Sequence, residues 1–322
     1  MAGAASYADD GRLSPLSTPS ATRAVLEAHD IGTKYTLGQN FLVNDDVLKR
    51  IIALAEVGER DRILEVGPGI GTLTIALLKH AASVVAVERD PDLPAVLADT
   101  LYPWRERFTL IEKDALNLTA ADIGEPLPNK FVSNLPYAVA ATVVLDYFQQ
   151  FPFLESATVM VQKEVADRMA AERGTKNYGA YTVKLGLYAE VAGRFAVGPG
   201  NFFPPPRVDS AVIRLNRRVP RMADGAPAAP EVIAAACLMA DAAFANRRKT
   251  LANSCKTYFA GRGTFALPDG RLLEGAPVVG LLPTLFAAAS VDPRRRGETL
   301  DQQEFLALGQ ALLANAAEQA RP

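Results

Sequence analysis

The chain has 322 residues, 49% of them apolar, and a net formal charge of −2, so it can bury one large or two ordinary cores and is not coated in positive charge. Its apolar runs are short and broken by charge, and the start, MAGAASYADDGRLSPLSTPSAT, has neither a basic n-region nor an apolar h-region; these features predict a cytoplasmic protein with no membrane span and no secretory signal. Two cysteines outside any CxxC pair, Cys237 and Cys255, and two histidines, His29 and His80, make neither a zinc ligand set nor a promising His-centred triad, so no metal is expected.

In chain order, residues 1–30 are rich in Ala, Ser, Asp and Pro without periodicity and read as a flexible tail, with a short helix near Thr22–Ala28. From Arg62 the short runs RILEV, SVVAVE, FTLIEK, KFVSN and ATVMVQ alternate with the helical stretches TLTIALLKHA, LPAVLADTL and TVVLDYFQQ. Strands alternating with helices predict βαβ units and a mostly parallel, doubly wound sheet, apolar throughout because both faces are covered. LGLYAEVAGRFAV and SAVIRLN read as two longer strands around the bend GPGNFFPPPRVD, closing the sheet with an antiparallel edge. A Pro/Gly/Ala-rich linker over 219–230 separates this 31–218 α/β domain from a smaller all-α domain over 231–322. Thr299 and Gln302 are placed as a capping box for the last helix.

Four motifs carry the chemistry. In ILEVGPGIGTLT, residues 63–74, Gly67, Gly69 and Gly71 follow a strand and open a helix. A dinucleotide fingerprint would need Gly or Ala at position 72, where Thr72 stands, so the spacing is wrong for NAD. E-x-G-x-G-x-G resembles motif I of the class I S-adenosylmethionine-dependent methyltransferases; the alternative is a tight turn without a ligand. Glu88 ends the second strand, placed to accept hydrogen bonds from ribose hydroxyls, and Asp114 ends the third, placed to hydrogen-bond an adenine amino group. Either acid alone reads as a solvated strand end or a helix N-cap. Asn134-Leu135-Pro136-Tyr137 ends the fourth strand and resembles the (D/N)PP(Y/F)-type signature of enzymes that methylate amino nitrogens. An adenine amine is a poor nucleophile because its electron pair is delocalised into the ring. The Asn134 amide oxygen and a backbone carbonyl, that of Leu135, can accept the amine hydrogens and turn that pair outward. Pro136 fixes the turn, Tyr137 offers a ring for stacking, and the turn that merely ends a strand is the competing reading. In NFFPPPRVDS, F-x-P-x-P-x-V-x-S places Phe202 to cover the other face of a base, with a plain polyproline loop as the alternative.

With LGQNFL (37–42), EVGPGIG, NLPY, MVQKEVADR, FFPPPRVDSAV and AFANRRKT in this order, the chain resembles the bacterial small-subunit ribosomal RNA adenine N6,N6-dimethyltransferase family, the kasugamycin-sensitivity methyltransferases, from about residue 33 to the low 300s. The resemblance implies a class I methyltransferase (Rossmann-like) domain and S-adenosylmethionine as methyl donor. It implies two adjacent adenines in the 3′-terminal hairpin loop of small-subunit (16S) rRNA as substrate, within a pre-ribosomal particle, and a monomer acting in ribosome biogenesis. Carried over by motif, Asn40 and Leu42 join Gly67, Gly69, Glu88, Asp114 and Asn134 around the cofactor, and Tyr137 and Phe202 sandwich the target adenine. Arg247, Arg248 and Lys249, with Lys256 and the later Arg294–Arg296 run, supply a local basic face for RNA phosphates at near-helical spacing. Ala138 departs from the family, which commonly has Asn or His there. The rival readings are a large-subunit rRNA adenine N6-methyltransferase of the macrolide-resistance type, a non-catalytic assembly factor on the same fold, and a small-molecule N-methyltransferase, which has no use for the basic helical domain.

Overall fold

The computed structural model describes residues 11–32, 39–266 and 270–319; Leu37 and Gly38 of LGQNFL, the first ten residues and part of the 263–277 loop lie outside them. The chain divides into two compact units, one running to Ala166 and resuming over Val191–Arg217, the other made of Asp167–Glu190 and the chain from Arg218 onward. Residues 167–190 thus group with the C-terminal helices rather than with the 31–218 domain expected from the sequence.

In the first unit, α1 (Pro19–Ala28), β1 (Phe41–Leu42) and α2 (Asp45–Ala55) precede the sheet. The expected flexible tail is corrected from residue 11 onward. The Thr18 side chain accepts the Ala21 N–H and caps α1, Leu16, Thr22 and Leu26 are buried, and the Leu13 and Ser14 N–H groups donate to the Asp45 carboxylate at 2.9 and 3.2 Å. Ser, Asp and Pro mark caps and turns as readily as disorder, which is why composition misled there.

The sheet is built from β2 (Arg62–Val66), α3 (Thr72–Leu78), β3 (Ser83–Glu88), α4 (Leu93–Thr100), β4 (Phe108–Glu112), α5 (Ala120–Ile123), β5 (Lys130–Asn134), α6 (Ala140–Gln150) and β6 (Ser156–Gln162), followed by β7 (Ala189–Val197), β8 (Phe202–Phe203) and β9 (Ser210–Arg217). Its order is β4-β3-β2-β5-β6-β9-β7, parallel from β4 to β6, with β9 antiparallel to β6 from Ser156↔Asn216 to Gln162↔Ser210. Ile63, Leu64, Val84 and Ala86 on the inner strands are fully buried, as a sheet covered on both faces requires. The chain winds outward from β2 to β4 and then crosses to β5, so the strand order reverses at β2/β5 and the carboxyl ends part into a crevice there. β1 and β8 form a separate antiparallel ribbon, Phe41↔Phe203 and Leu42↔Phe202. The strand expected over LGLYAEVAGRFAV starts only at Ala189, because Leu185 and Gly186 finish a helix.

The second unit takes in α7 (Lys163–Met169) from Asp167 onward, then α8 (Ala180–Gly186), α9 (Pro230–Phe244), α10 (Leu251–Ala260), the hairpin β10 (Thr264–Ala266) and β11 (Leu272–Glu274), α11 (Gly275–Ala288) and α12 (Gln302–Gln319). Its core packs alanines of α9 with Phe259, Leu285 and Phe305. A Cβ on Gly309 of α12 would stand 2.6 Å from the Ala236 nitrogen of α9, so only glycine permits this approach. The capping box at α12 is Asp301 with Glu304, each side chain accepting the other's N–H at 2.9 Å. Thr299 instead closes a 3-10 turn through the Arg296 carbonyl, which corrects the expected Thr299–Gln302 pair. No helix among the described residues is long and apolar enough to cross a membrane.

Candidate active site

The carboxyl ends of β2, β3 and β5, the residues just after β4, and the Gln39–Leu42 segment enclose a cavity of about 490 Å³, within the usual range for small-molecule sites. Every residue expected to hold a cofactor lines it, from Asn40 and Leu42 to Asn134, as do Leu135, Pro136 and Tyr137. In the turn between β2 and α3, Gly67, Gly69 and Gly71 all have positive φ, at 69°, 60° and 89°. At Gly69 a Cβ would also stand 3.1 Å from the Phe41 ring, so a side chain there would be strained by the backbone and crowd the cavity wall.

The two acids differ in environment. Glu88 is 8% exposed; its Oε1 accepts the N–H groups of Arg89 and Asp90, both at 2.8 Å. Burial raises its pKa, countered by these bonds and by the Gly69 N–H. Asp114 lies two residues beyond β4 and does serve as an N-cap, accepting the Leu116 N–H at 3.0 Å, while its other oxygen lies 3.4 Å from Arg89 Nη1. A carboxylate has about four acceptor positions, so the cap leaves room for an adenine amine.

Asn134 ends β5 opposite Met160. Its Nδ2 donates to the Asn40 carbonyl at 3.2 Å. A carbonyl oxygen cannot donate, so the NH2 end must face Asn40, and the Oδ1 end is left to accept a substrate hydrogen. The Leu135 N–H is held by the Met160 carbonyl at 3.1 Å. Tyr137 lines the cavity with its hydroxyl 2.5 Å from Ser210 Oγ, the serine of F-x-P-x-P-x-V-x-S. Burial pushes the phenol above its ordinary pKa, so it stays neutral and is no base.

Phe202 does not reach the cavity. It is 4% exposed, sits in β8 against Leu42 and packs into the apolar cluster of the first unit. The register of the ribbon turns it inward, whereas Phe203 is half-buried with the Arg23 guanidinium 5.2 Å from its ring centre. The expected two-ring sandwich therefore has only Tyr137 on the wall, and Phe202 braces the strand that carries Leu42.

Sequence reasoning gave no role to four polar neighbours. Glu65 is 1% exposed, accepts the Thr74 hydroxyl at 2.7 Å, and burial pushes its pKa up to about 8. Thr72 lines the cavity with a buried hydroxyl that has no hydrogen-bond partner. Gln39 Nε2 donates to Asp90 at 2.7 Å. The signal for Glu65 was present: a carboxylate inside an otherwise apolar strand needs a reason. A glycine cradle that a Cβ would fill, an orphaned buried hydroxyl and two carboxylates at neighbouring strand ends together fit a polar nucleoside with an amino-acid arm.

In the second unit, Arg247, Arg248 and Lys249 lie in the turn between α9 and α10, not on a helix as their spacing suggested. Arg247 donates to the Lys176 carbonyl at 2.9 Å and to Glu298 at 3.2 Å, so it is committed within the protein. Arg248 and Lys249 are exposed. The α10 N–H groups of Leu251 and Ala252 are taken by the carbonyls of Arg295 and Pro293, which draws the second arginine run beside the first. Arg296 is exposed there, Arg294 is exposed with its guanidinium on the Asp292 carboxylate at 3.1 Å, and Arg295 is paired with Glu304. Cys237 and Cys255 are buried, and that burial pushes both thiols up to about 12.

Residues 32–287 match the ribosomal RNA adenine dimethylase family. The chain is similar to the ribosomal RNA small subunit methyltransferase A of Thermobifida fusca, 39% identical over 90% of this chain and 94% of that one. Among solved structures, a dimethyladenosine transferase from Plasmodium falciparum superposes with a TM-score of 0.65 at 23% identity, over 87% of this chain and 98% of that one. The 23S rRNA methyltransferase ErmE does so with a TM-score of 0.58 at 24% identity, over 85% and 99%; at such identities the likeness speaks for the fold.

Proposed function

Because the chain belongs to the ribosomal RNA adenine dimethylase family, we propose that it transfers methyl groups from S-adenosylmethionine to N6 of two adjacent adenines in the 3′-terminal hairpin loop of small-subunit rRNA. It acts as a cytoplasmic monomer on a pre-ribosomal particle and produces N6,N6-dimethyladenosines during ribosome biogenesis. The observation that supports this reading most is the orientation of Asn134, whose NH2 is spent on Asn40 while its oxygen is left for a substrate amine.

When bound, S-adenosylmethionine supplies an electrophilic sulfonium methyl. Glu88 accepts the ribose hydroxyls, Asp114 accepts the adenine amine of the cofactor, and the Gly67–Gly71 turn, with Asn40 and Leu42, gives the amino-acid arm close backbone contact. Asn134 Oδ1 and the Leu135 carbonyl accept the two hydrogens of the target amine and direct its electron pair at the methyl carbon. Tyr137 stacks on the extruded base, worth about 1–3 kcal/mol, which offsets much of the few kcal/mol needed to unstack it. With the methyl transferred N6 is cationic, and in that form it is acidic enough to release its proton to water, so no strong base is needed. Ala138 makes no side-chain hydrogen bond to the target. Arg248, Lys249 and Arg296 bind RNA phosphates, and Arg247 shapes the turn that presents them.

Undermethylated small subunits and, separately, large-subunit RNA incubated with isotope-labelled cofactor, followed by mapping of the modified nucleotide, test the proposal. Label on N6 of two neighbouring adenines in the small-subunit hairpin is expected. Label only in large-subunit RNA would support the macrolide-resistance reading, and label in neither would support an assembly factor without catalysis.

A further inference from the structure

The first six residues of β6 are buried, and the seventh, Gln162, is half-buried and lines the cavity. Its direction follows from the register of the sheet. Side chains alternate along a strand, so Gln162 shares a face with Met160, and Met160 stands opposite Asn134. The two carboxamides therefore project from one face at the carboxyl ends of neighbouring strands, with Gln162 two residues, or about 6.6 Å, further along. On its other side Gln162 is paired with Ser210 of β9, whose Cβ in such a pair lies about 4.5–5.5 Å away. Ser210 Oγ is 2.5 Å from the Tyr137 hydroxyl, which sets Gln162 beside the hydroxyl end of the Tyr137 ring. Among the described residues its carboxamide has no hydrogen-bond partner.

We infer that Gln162 is a recognition residue for the target base: its Nε2 donates to adenine N1 while Asn134 Oδ1 and the Leu135 carbonyl take the N6 hydrogens. The edge of an extruded adenine carries an amine and, beside it, a ring nitrogen with an electron pair and no hydrogen. A pocket that reads that edge needs acceptors for the first and a donor for the second. Asn134 and Leu135 supply acceptors only, since the Asn134 NH2 is spent on the Asn40 carbonyl. The charged donors on the wall, Arg89 and Lys113, follow β3 and β4, at the opposite end of the strand order from β6. Gln162 has two N–H groups to give, and an N1 electron pair accepts only that end of its amide. Guanine would set an N1 hydrogen against those hydrogens and its O6 against the Asn134 oxygen, so the same pair of carboxamides disfavours it. The inference rests on the proposed methyl transfer and gives a role to a residue which that reading does not use.

Titration of the S-adenosylhomocysteine-bound protein with millimolar adenosine, and with an adenosine analogue that has C–H in place of N1, reads the contact directly. The Gln162 side-chain amide resonances, identified by their loss in Gln162→Met, should shift with adenosine and much less with the analogue. On undermethylated small subunits at about pH 8, Gln162→Glu should lower kcat/KM by at least about tenfold, because a carboxylate then faces the N1 electron pair, with the Kd for S-adenosylhomocysteine changed less than about threefold. Protonation gives that carboxyl a hydrogen to donate, so the activity of Gln162→Glu relative to the parent should rise as pH falls toward about 5. A structural role alone would not move that ratio. Equal amide shifts with both nucleosides, or no shift with either, would overturn the inference. So would a Gln162→Met variant with the melting temperature and the turnover of the parent. Should the parent itself leave small-subunit RNA unlabelled, the proposed function fails, while the nucleoside titration still decides whether Gln162 meets N1.

Discussion

At the scale of single residues, the site separates groups that act on the substrate from groups that hold them. In the proposed reaction Asn134 touches the reacting amine, so Asn134→Ala should cost about 10²–10³ in turnover, comparable to loss of one donor or acceptor at a developing charge. Its effect on cofactor binding, read by calorimetry with S-adenosylhomocysteine, should be small. Equal losses in both would mean that its role lies in holding the cofactor. Tyr137→Phe keeps the ring and loses only the bond to Ser210. It should leave most of the turnover and lower stability by about 1–3 kcal/mol, because Ser210 is fully buried and loses its partner. Tyr137→Ala removes the stack and should lose far more activity than Tyr137→Phe. These polar residues were legible in the sequence because NLPY couples an amide and a ring at a strand end. Phe202 was not, since a motif gives the residue type but not the direction in which a two-residue strand turns it.

At the scale of elements, β2 carries a buried acid whose protonation is linked to folding. Glu65 has a folded pKa of about 8 against an ordinary value of 4.5, so between these values the native state holds a proton that the unfolded chain has released. Its stabilising effect is complete below pH 4.5 and is lost as pH rises through 8, at no more than about 1.4 kcal/mol per pH unit. Glu65→Gln keeps an acceptor for Thr74 and should flatten the fall in stability between pH 5 and 8 seen in urea melts; an identical pH slope in both proteins would contradict the burial of a neutral acid. The glycine turn that follows is as tightly determined: Gly69→Ala puts a side chain at φ 60° and 3.1 Å from Phe41. It should cost about 1–2 kcal/mol of stability and weaken cofactor binding. The alternation of strands and helices and the antiparallel β9 edge could be read from periodicity alone. The start of β7 and the α12 cap could not, because Leu185 and Gly186 are held in α8 by their unit's packing and Asp301 outcompetes Thr299 as a cap through reciprocal bonds to Glu304. Local pattern does not decide between such neighbours.

At the scale of the whole molecule, the net charge of −2 conceals a basic turn in the second unit that was visible as RRK and RRR but not as one surface. Two backbone hydrogen bonds at the start of α10 bring the runs together, and no sequence spacing announces them. Arg248→Ala and Lys249→Ala should each flatten the dependence of log K for RNA on log salt by about one unit. Arg247→Ala should flatten it less and lower the melting temperature, since its guanidinium is bonded to Glu298 and to the Lys176 carbonyl. Equal salt effects for all three would mean that the Arg247 pair opens on the RNA. The proposed function turns on one event, the presentation of an extruded adenine amine to the oxygen of Asn134. A crystal structure with S-adenosylhomocysteine and adenosine bound tests that most directly. Asn134 Oδ1 and the Leu135 carbonyl are expected within hydrogen-bonding distance of the adenosine N6, which faces the sulfur. An Asn134 side chain turned with its NH2 toward N6, or a nucleobase seated away from Tyr137, would contradict it.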